Sequence, residues 1–199
     1  MIEKIYIYPR QVVENILASD RATEKRTWAL ISIYGTPDRR LLNTPELHKK
    51  LQGKGCARVL ELCFGDFSKE TYDRLVASAN GRDRMLNSID KKFYLFNEDQ
   101  AKKTVEFLDK IYDDPQIKRL VVHCQAGVSR SAAVGVFACR RFKMDENALR
   151  KEHPHAHPNA YVYDLLYRVS GMRDDYIRFW EEPPKGIIKV NFVDTENLF

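Results

Sequence analysis

Short apolar runs alternate with amphipathic segments along this chain, and turn-forming residues separate many of them. The apolar runs predict strands at residues 5–8, 28–34, 57–64 and 118–124. The third run, which includes β-branched Val59 and aromatic Phe64, is suited to a buried strand. Strands that alternate with helices indicate an α/β fold, with a central, mostly parallel sheet of about four to five strands flanked by helices.

Amphipathic spacing and helix-start signals predict the helices between these strands. Pro9 is well placed to begin the first helix and Thr44-Pro45 to cap and start the second, because proline fits the first turn. Asn97 begins a clear amphipathic helix. Together the predicted helices cover residues 9–19, a short stretch from 44, 68–78, a stretch from 97, 129–142 and most of the remainder to about 180.

The composition is that of an ordinary globular protein, with 44% apolar and 31% charged residues among 199. This length fits a single domain over residues 1–199, with its signature core at about 58–171 and a C-terminal tail at about 184–199. Within the tail, residues 186–193 are either an edge strand or a loose segment.

The net charge of +5 is a mild excess, and the basic pairs are dispersed among acidic residues. We therefore expect solvated helix faces and no nucleic-acid partner. The first residues lack the basic start and apolar stretch of a secretory signal, and no apolar run approaches the length that spans a bilayer. These features predict a cytoplasmic protein without a membrane partner.

The four cysteines, Cys56, Cys63, Cys124 and Cys139, lie far apart and form no C-x-x-C pair. In a reducing compartment they are expected to be free thiols. Three of them lie in or beside apolar stretches and are interpreted as packing residues. Only Cys124 has an arginine, Arg130, six residues further on.

The segment His123-Cys-Gln-Ala-Gly-Val-Ser-Arg-Ser131 predicts a phosphate-binding loop. An apolar strand leads into Cys124, Gly127 permits a close backbone approach, and a helix opens at about Ser129. A loop that closes onto a helix N-terminus supplies converging backbone N–H groups and a favourable dipole for an anion. The residues expected to supply these donors are Gln125, Ala126, Gly127, Val128 and Ser129.

Arg130 would lie in the first helical turn, where its guanidinium can bind two phosphate oxygens at once. The same donors favour the thiolate form of Cys124, since cysteines at helix N-termini ionise readily. The spacing therefore serves both binding and activation of a nucleophile.

This stretch resembles the signature loop of protein tyrosine phosphatases, in the form seen in dual-specificity phosphatases. The resemblance covers about residues 58–171. Residues 59–66 resemble the strand and loop that bring in the general acid, 104–111 the helix before the signature strand, and 157–159 the Pro-Asn that supports the loop. The whole chain looks like the compact stand-alone members of bacteria and their viruses, which implies a phosphotyrosine protein phosphatase-like fold.

The resemblance implies a role for each matching residue and a phosphorylated protein as the substrate, without metal or cofactor. Cys124 would form a cysteinyl-phosphate, and Arg130 would bind phosphate and stabilise the transition state. Ser131 would assist breakdown of the intermediate, His123 would favour the thiolate, and Asn159 would anchor the loop.

Asp66 is the predicted general acid, and Asp90 is its competitor. Typical dual-specificity enzymes place the acid closer to the cysteine than Asp66 is to Cys124, so we interpret residues 67–92 as containing an insertion. A strand leads into Asp66 and none leads into Asp90, which favours Asp66.

Two other functions stay open at this point. One is a catalytically silent module that binds phosphopeptides, although a binder needs no nucleophile. The other is the same chemistry on an RNA 5′-phosphate or a phosphoinositide; lipid phosphatases of this superfamily usually carry lysines in the loop, and residues 125–129 contain none.

The alternate histidines of His153-Pro-His-Ala-His157 invite a metal site, but the prolines predict an extended surface loop beside the active site. No cysteine or carboxylate cluster completes a tetrahedral ligand set in this segment. We therefore expect no metal.

Overall fold

The computed structural model describes residues 1–20, 25–36, 40–68, 70–71, 74 and 95–172. Within them, four parallel strands form one sheet flanked by six helices, which confirms the predicted α/β fold. The strands are β1 (Lys4–Pro9), β2 (Trp28–Tyr34), β3 (Cys56–Cys63) and β4 (Arg119–Cys124). The helices are α1 (Arg10–Ala18), α2 (Pro45–Gly53), α3 (Glu98–Tyr112), α4 (Arg130–Arg141), α5 (Glu146–Glu152) and α6 (Ala160–Ser170).

The strand order β1-β4-β2-β3 places β4 between β1 and β2. His123 on β4 is in register with Tyr8 on one side and Ser32 on the other, and Cys124 is in register with Pro9. Because all strands are parallel, the chain leaves each of them at the same edge of the sheet. The loop after β4 is therefore flanked by the ends of two neighbouring strands, where α/β proteins commonly bind ligands.

Alternate side chains on the strands enter two separate hydrophobic clusters. Ile5 and Ile7 pack in the cluster that α3, α4 and α6 also enter. Tyr6 and Tyr8 pack with α1 and α2 on the opposite face. Successive strand residues point to opposite faces, so a sheet covered on both sides needs apolar residues at nearly every position. This explains the continuous apolar runs in the sequence.

The helix-start signals are confirmed in their local geometry. The hydroxyl of Thr44 accepts a hydrogen bond from the Leu47 N–H, with Pro45 in the first turn of α2. Asn97 and Gln100 form a capping box at the start of α3. Pro9 is both the last residue of β1 and the N-cap of α1, so the chain turns there without a connecting loop.

The prediction of a buried third strand is wrong. In the described sheet β3 is an edge strand that pairs with β2 alone, and only Cys56 and Leu62 among its eight residues are buried. Glu61 on this strand instead forms an ion pair with Arg40. A strand at the sheet edge packs against fewer neighbours and is less buried. The apolar composition of β3 did not indicate that it lies at the edge.

Several predictions concern residues outside the described part of the chain. They are Asp90, most of the insertion at 67–92 and of the helix at 68–78, the helical stretch at 173–180, and the tail at 184–199 with its segment 186–193. The single-domain assignment stays a prediction. Among the described residues, no helix combines the length and the apolar character that crossing a bilayer requires.

Candidate active site

The loop between Cys124 and Arg130 rests against the junction of β1 and α1. Gly127 has a φ of 72°, a region that residues with a side chain rarely adopt. A methyl group on Gly127 would lie 2.5 Å from the backbone nitrogen of Pro9 and 2.6 Å from the carbonyl carbon of Tyr8. Only glycine fits here, so the end of β1 forms one wall of the loop.

Backbone groups from elsewhere in the chain bind the carbonyl oxygens of this loop. The N–H groups of Arg10, His157 and Asn159 donate to the carbonyls of Gln125 (3.3 Å), Val128 (2.7 Å) and Ser129 (3.3 Å). In contrast, the backbone N–H groups of residues 125–129 have no acceptor within the described residues. A loop with occupied carbonyls and available N–H groups has the polarity that an anion requires.

Cys124 lies at the base of the loop, and its side chain is only 2% exposed. Its sulfur is 3.1 Å from the hydroxyl oxygen of Ser131, which is fully buried in the first turn of α4. When the thiol is ionised, this hydroxyl can donate to the sulfur. The position before a helix N-terminus also favours negative charge on the sulfur.

Arg130 is anchored and still has donor capacity. Its side chain is largely buried, and Nη1 donates to the carbonyl of Phe64 at 2.9 Å, directly after β3. Gly35, after β2, lies beside the same nitrogen. The buried Nε has no partner within the described part of the chain. Buried guanidinium N–H groups are nearly always paired, so Nε is a donor suited to an incoming anion.

Asp66 contacts the loop from the end of β3. Its exposed carboxylate accepts hydrogen bonds at Oδ1 from the Ser129 hydroxyl (2.7 Å) and from Nδ2 of Asn159 (2.9 Å). The side-chain oxygen of Asn159 accepts from the Val162 N–H at the start of α6. Asp66 and Asn159 therefore meet at the loop, whereas the competing Asp90 lies outside the described residues.

His123 is buried, with Nε2 2.8 Å from the hydroxyl oxygen of Ser32. Burial lowers the pKa of His123 to about 4, and the positive charges of Arg10 and Arg130 act in the same direction. The ring is therefore neutral at pH 7. It places no positive charge beside the thiol, so any effect it has on the thiolate acts through hydrogen bonding.

The expectation that residues 153–157 form a surface loop is wrong at His153. This residue is 5% exposed, and its Nε2 accepts a hydrogen bond from the Ile7 N–H at 3.4 Å. His153 thus covers the outer edge of β1, which has no neighbouring strand on that side in the described sheet. Burial lowers the pKa of His153 to about 4. No group of three metal-ligating side chains occurs among the described residues.

Three contributions to the site are missing from the sequence-based prediction. They are the carbonyl of Phe64, the backbone N–H of Arg10 and the hydroxyl of Ser32. Every residue has a backbone carbonyl, and every residue except proline has a backbone N–H. The sequence therefore contains no signal for the roles of the Phe64 carbonyl and the Arg10 N–H. Ser32 did have one, because it is the only serine or threonine in the apolar run at 28–34.

Comparison with solved structures identifies chains of similar fold. The fold is similar to the crystal structure of Tk-PTP in the active form, with a TM-score of 0.46 and 12% sequence identity, over 86% of this chain and 93% of that chain. No family model matches the chain, and no curated protein does.

Proposed function

We propose that this protein is a phosphoprotein phosphatase that hydrolyses phosphotyrosine, and also phosphoserine or phosphothreonine where these reach the sulfur. The observation that carries the proposal is the convergence on one loop. The Cys124 sulfur, the Arg130 guanidinium and the backbone N–H groups of residues 125–129 share that loop, and Asp66 is hydrogen-bonded to its rim. These are a nucleophile, anion-binding donors and a proton donor.

In the first step, the Cys124 thiolate attacks phosphorus. An S–P bond forms, and the bond from phosphorus to the ester oxygen breaks. The leaving oxygen takes a proton from Asp66, which becomes a carboxylate. Negative charge on the transferring phosphoryl group is stabilised by Arg130 and the loop N–H groups.

In the second step, water attacks the phosphorus of the cysteinyl-phosphate. The Asp66 carboxylate takes a proton from that water, the S–P bond breaks, and inorganic phosphate and the thiolate are released. The Ser131 hydroxyl, 3.1 Å from the sulfur, can donate to the thiolate as it leaves. Every group is returned to its starting state, so the cycle needs no cofactor.

A protein phosphate is favoured over other phosphate esters by the loop's own side chains. Residues 125–129 carry no lysine or arginine, and the highly charged headgroup of a phosphoinositide calls for further cations. A silent phosphopeptide binder is disfavoured because Ser131 contacts the Cys124 sulfur, an interaction that binding alone does not require.

The test is hydrolysis of p-nitrophenyl phosphate and of matched phosphotyrosine and phosphothreonine peptides. We expect turnover in the wild type and its loss in Cys124→Ser, with phosphotyrosine the better peptide. Peptide binding without hydrolysis would support the silent module. Hydrolysis of an RNA 5′-phosphate or a phosphoinositide far above that of any peptide would contradict the substrate class.

A further inference from the structure

We infer that Ser129 and Asn159 are positioning residues that hold Oδ1 of Asp66, so that the proton delivered to the leaving group resides on Oδ2. This inference rests on the proposed function. Both side chains donate to the same oxygen, at 2.7 Å from the Ser129 hydroxyl and 2.9 Å from Nδ2 of Asn159.

Two donors on one carboxylate oxygen determine where the proton lies. An oxygen that accepts two hydrogen bonds holds negative charge well and is the poorer site for a proton. The protonated acid therefore carries its hydrogen on the other oxygen. The same two bonds fix the plane of the carboxyl group, and this orients the O–H bond relative to the loop.

The Ser129 hydroxyl is diverted from its ordinary local role. Ser129 is the N-cap of α4, a position where a serine side chain usually accepts a hydrogen bond from the first turn. No such cap bond forms here, and the hydroxyl donates to Asp66 instead. A local preference that is given up for a contact at the proposed site indicates a role in that site.

Asn159 connects the acid to two fixed parts of the protein. Its Oδ1 accepts from the Val162 N–H and caps α6, and its backbone N–H donates to the carbonyl of Ser129. Capping uses only the amide oxygen, which leaves Nδ2 for Asp66. Through Asn159, Asp66 is attached to the start of α6 and to the loop at once. Ser129, the other residue that donates to Asp66, is itself part of the phosphate-binding loop.

The experiment compares leaving groups rather than a single rate. Phenyl phosphate needs a proton on its leaving oxygen, whereas 2,4-dinitrophenyl phosphate does not. For Ser129→Ala we expect kcat/KM, which reports formation of the cysteinyl-phosphate and not its hydrolysis, to fall about tenfold on phenyl phosphate and less than about threefold on dinitrophenyl phosphate. Ser129→Thr retains a hydroxyl and should recover most of the loss.

A second variant removes the other donor while leaving the helix cap. Asn159→Asp keeps an oxygen for the Val162 N–H but replaces the amide donor by an acceptor that repels Asp66. It should show the same dependence on the leaving group, with the larger loss of the two variants. Thermal unfolding of each variant separates this effect from a general loss of folded protein.

The outcomes distinguish this inference from the proposed function. Equal losses on both substrates, or no loss on either, in folded Ser129→Ala and Asn159→Asp would overturn the positioning role while leaving the phosphatase intact. If the wild type shows no hydrolysis that depends on Cys124, the proposed function itself fails, and the inference with it.

Discussion

The proposed site has a buried half and an exposed half, and the two are built differently. Cys124, Arg130 and Ser131 are at most 8% exposed and belong to the strand, the helix and the packed interior. Asp66 is exposed and is held by side-chain hydrogen bonds to Ser129 and Asn159. We therefore expect changes in the buried half to affect substrate binding and folding together, and changes in the exposed half to affect proton transfer alone.

A large effect on catalysis is expected from Arg130→Lys, in the buried half. The planar guanidinium of Arg130 can bind the Phe64 carbonyl and an anion at once, and the single ammonium group of lysine cannot. We therefore expect kcat/KM to fall by about 10²- to 10³-fold. The matched control is Arg141→Lys at the other end of α4, where Arg141 pairs with Asp109. That variant should change the rate by less than about twofold. Near-normal rates in Arg130→Lys would remove Arg130 from the site.

Gly127→Ala tests the contact between the loop and β1. The added methyl group would meet the backbone of Tyr8 and Pro9, so we expect about 3 kcal/mol lower unfolding free energy together with loss of phosphatase activity. Denaturant unfolding and p-nitrophenyl phosphate turnover measure the two effects.

Gly171→Ala is the control for backbone strain. Gly171 also has a positive φ, of 68°, but no atom of the described residues lies within 4 Å of the position of its Cβ. It should lose only about 1 kcal/mol of stability and keep its activity. If both variants behave alike, the loop does not depend on its contact with β1.

Asp66→Asn tests the exposed half. Turnover of phenyl phosphate should fall about a hundredfold, because the amide cannot supply the proton. The decline of the rate on the basic side of the pH profile should disappear, with little change in unfolding free energy. Asp113→Asn is the control, since Asp113 is exposed at the C-terminal end of α3 and precedes β4. A normal basic limb in Asp66→Asn would direct attention to Asp90.

The smallest effect concerns the two buried histidines. His123 and His153 have pKa values lowered to about 4, below the ordinary 6.5 that they regain on unfolding. The unfolded chain therefore binds more protons between these values, and stability falls as the pH drops from about 6.5 to about 4.

The slope of unfolding free energy against pH between about pH 4 and 6.5 should be smaller by about 1 kcal/mol per pH unit in His153→Gln. Denaturant unfolding at several pH values measures this slope. The glutamine side chain can still accept from the Ile7 N–H, so the fold should persist. An unchanged slope would mean that His153 does not titrate in this range.

The buried half was more predictable from the sequence than the exposed half. Local signals sufficed for the strand that ends at Cys124, for Gly127 in the loop and for the caps at Thr44 and Asn97. Each of these depends on a residue and its immediate neighbours. The continuous apolar runs also predicted the sheet, because a sheet covered on both faces leaves little room for polar residues.

The errors and omissions concern contacts between residues far apart in the sequence. The exposure of β3 depends on its place at the sheet edge, and the burial of His153 depends on the unpaired edge of β1. The hydroxyl of Ser129 was not expected to bind Asp66, because an N-cap serine ordinarily serves its own helix. Tertiary partners of this kind are decided by topology.

The most direct test of the central claim is to trap the covalent intermediate. The enzyme is mixed with an aryl phosphate, quenched within one turnover, digested and analysed by mass spectrometry. We expect one phosphoryl group on the peptide that contains Cys124, and none in Cys124→Ser. A phosphoryl group on another residue, or turnover that persists in Cys124→Ser, would contradict the account.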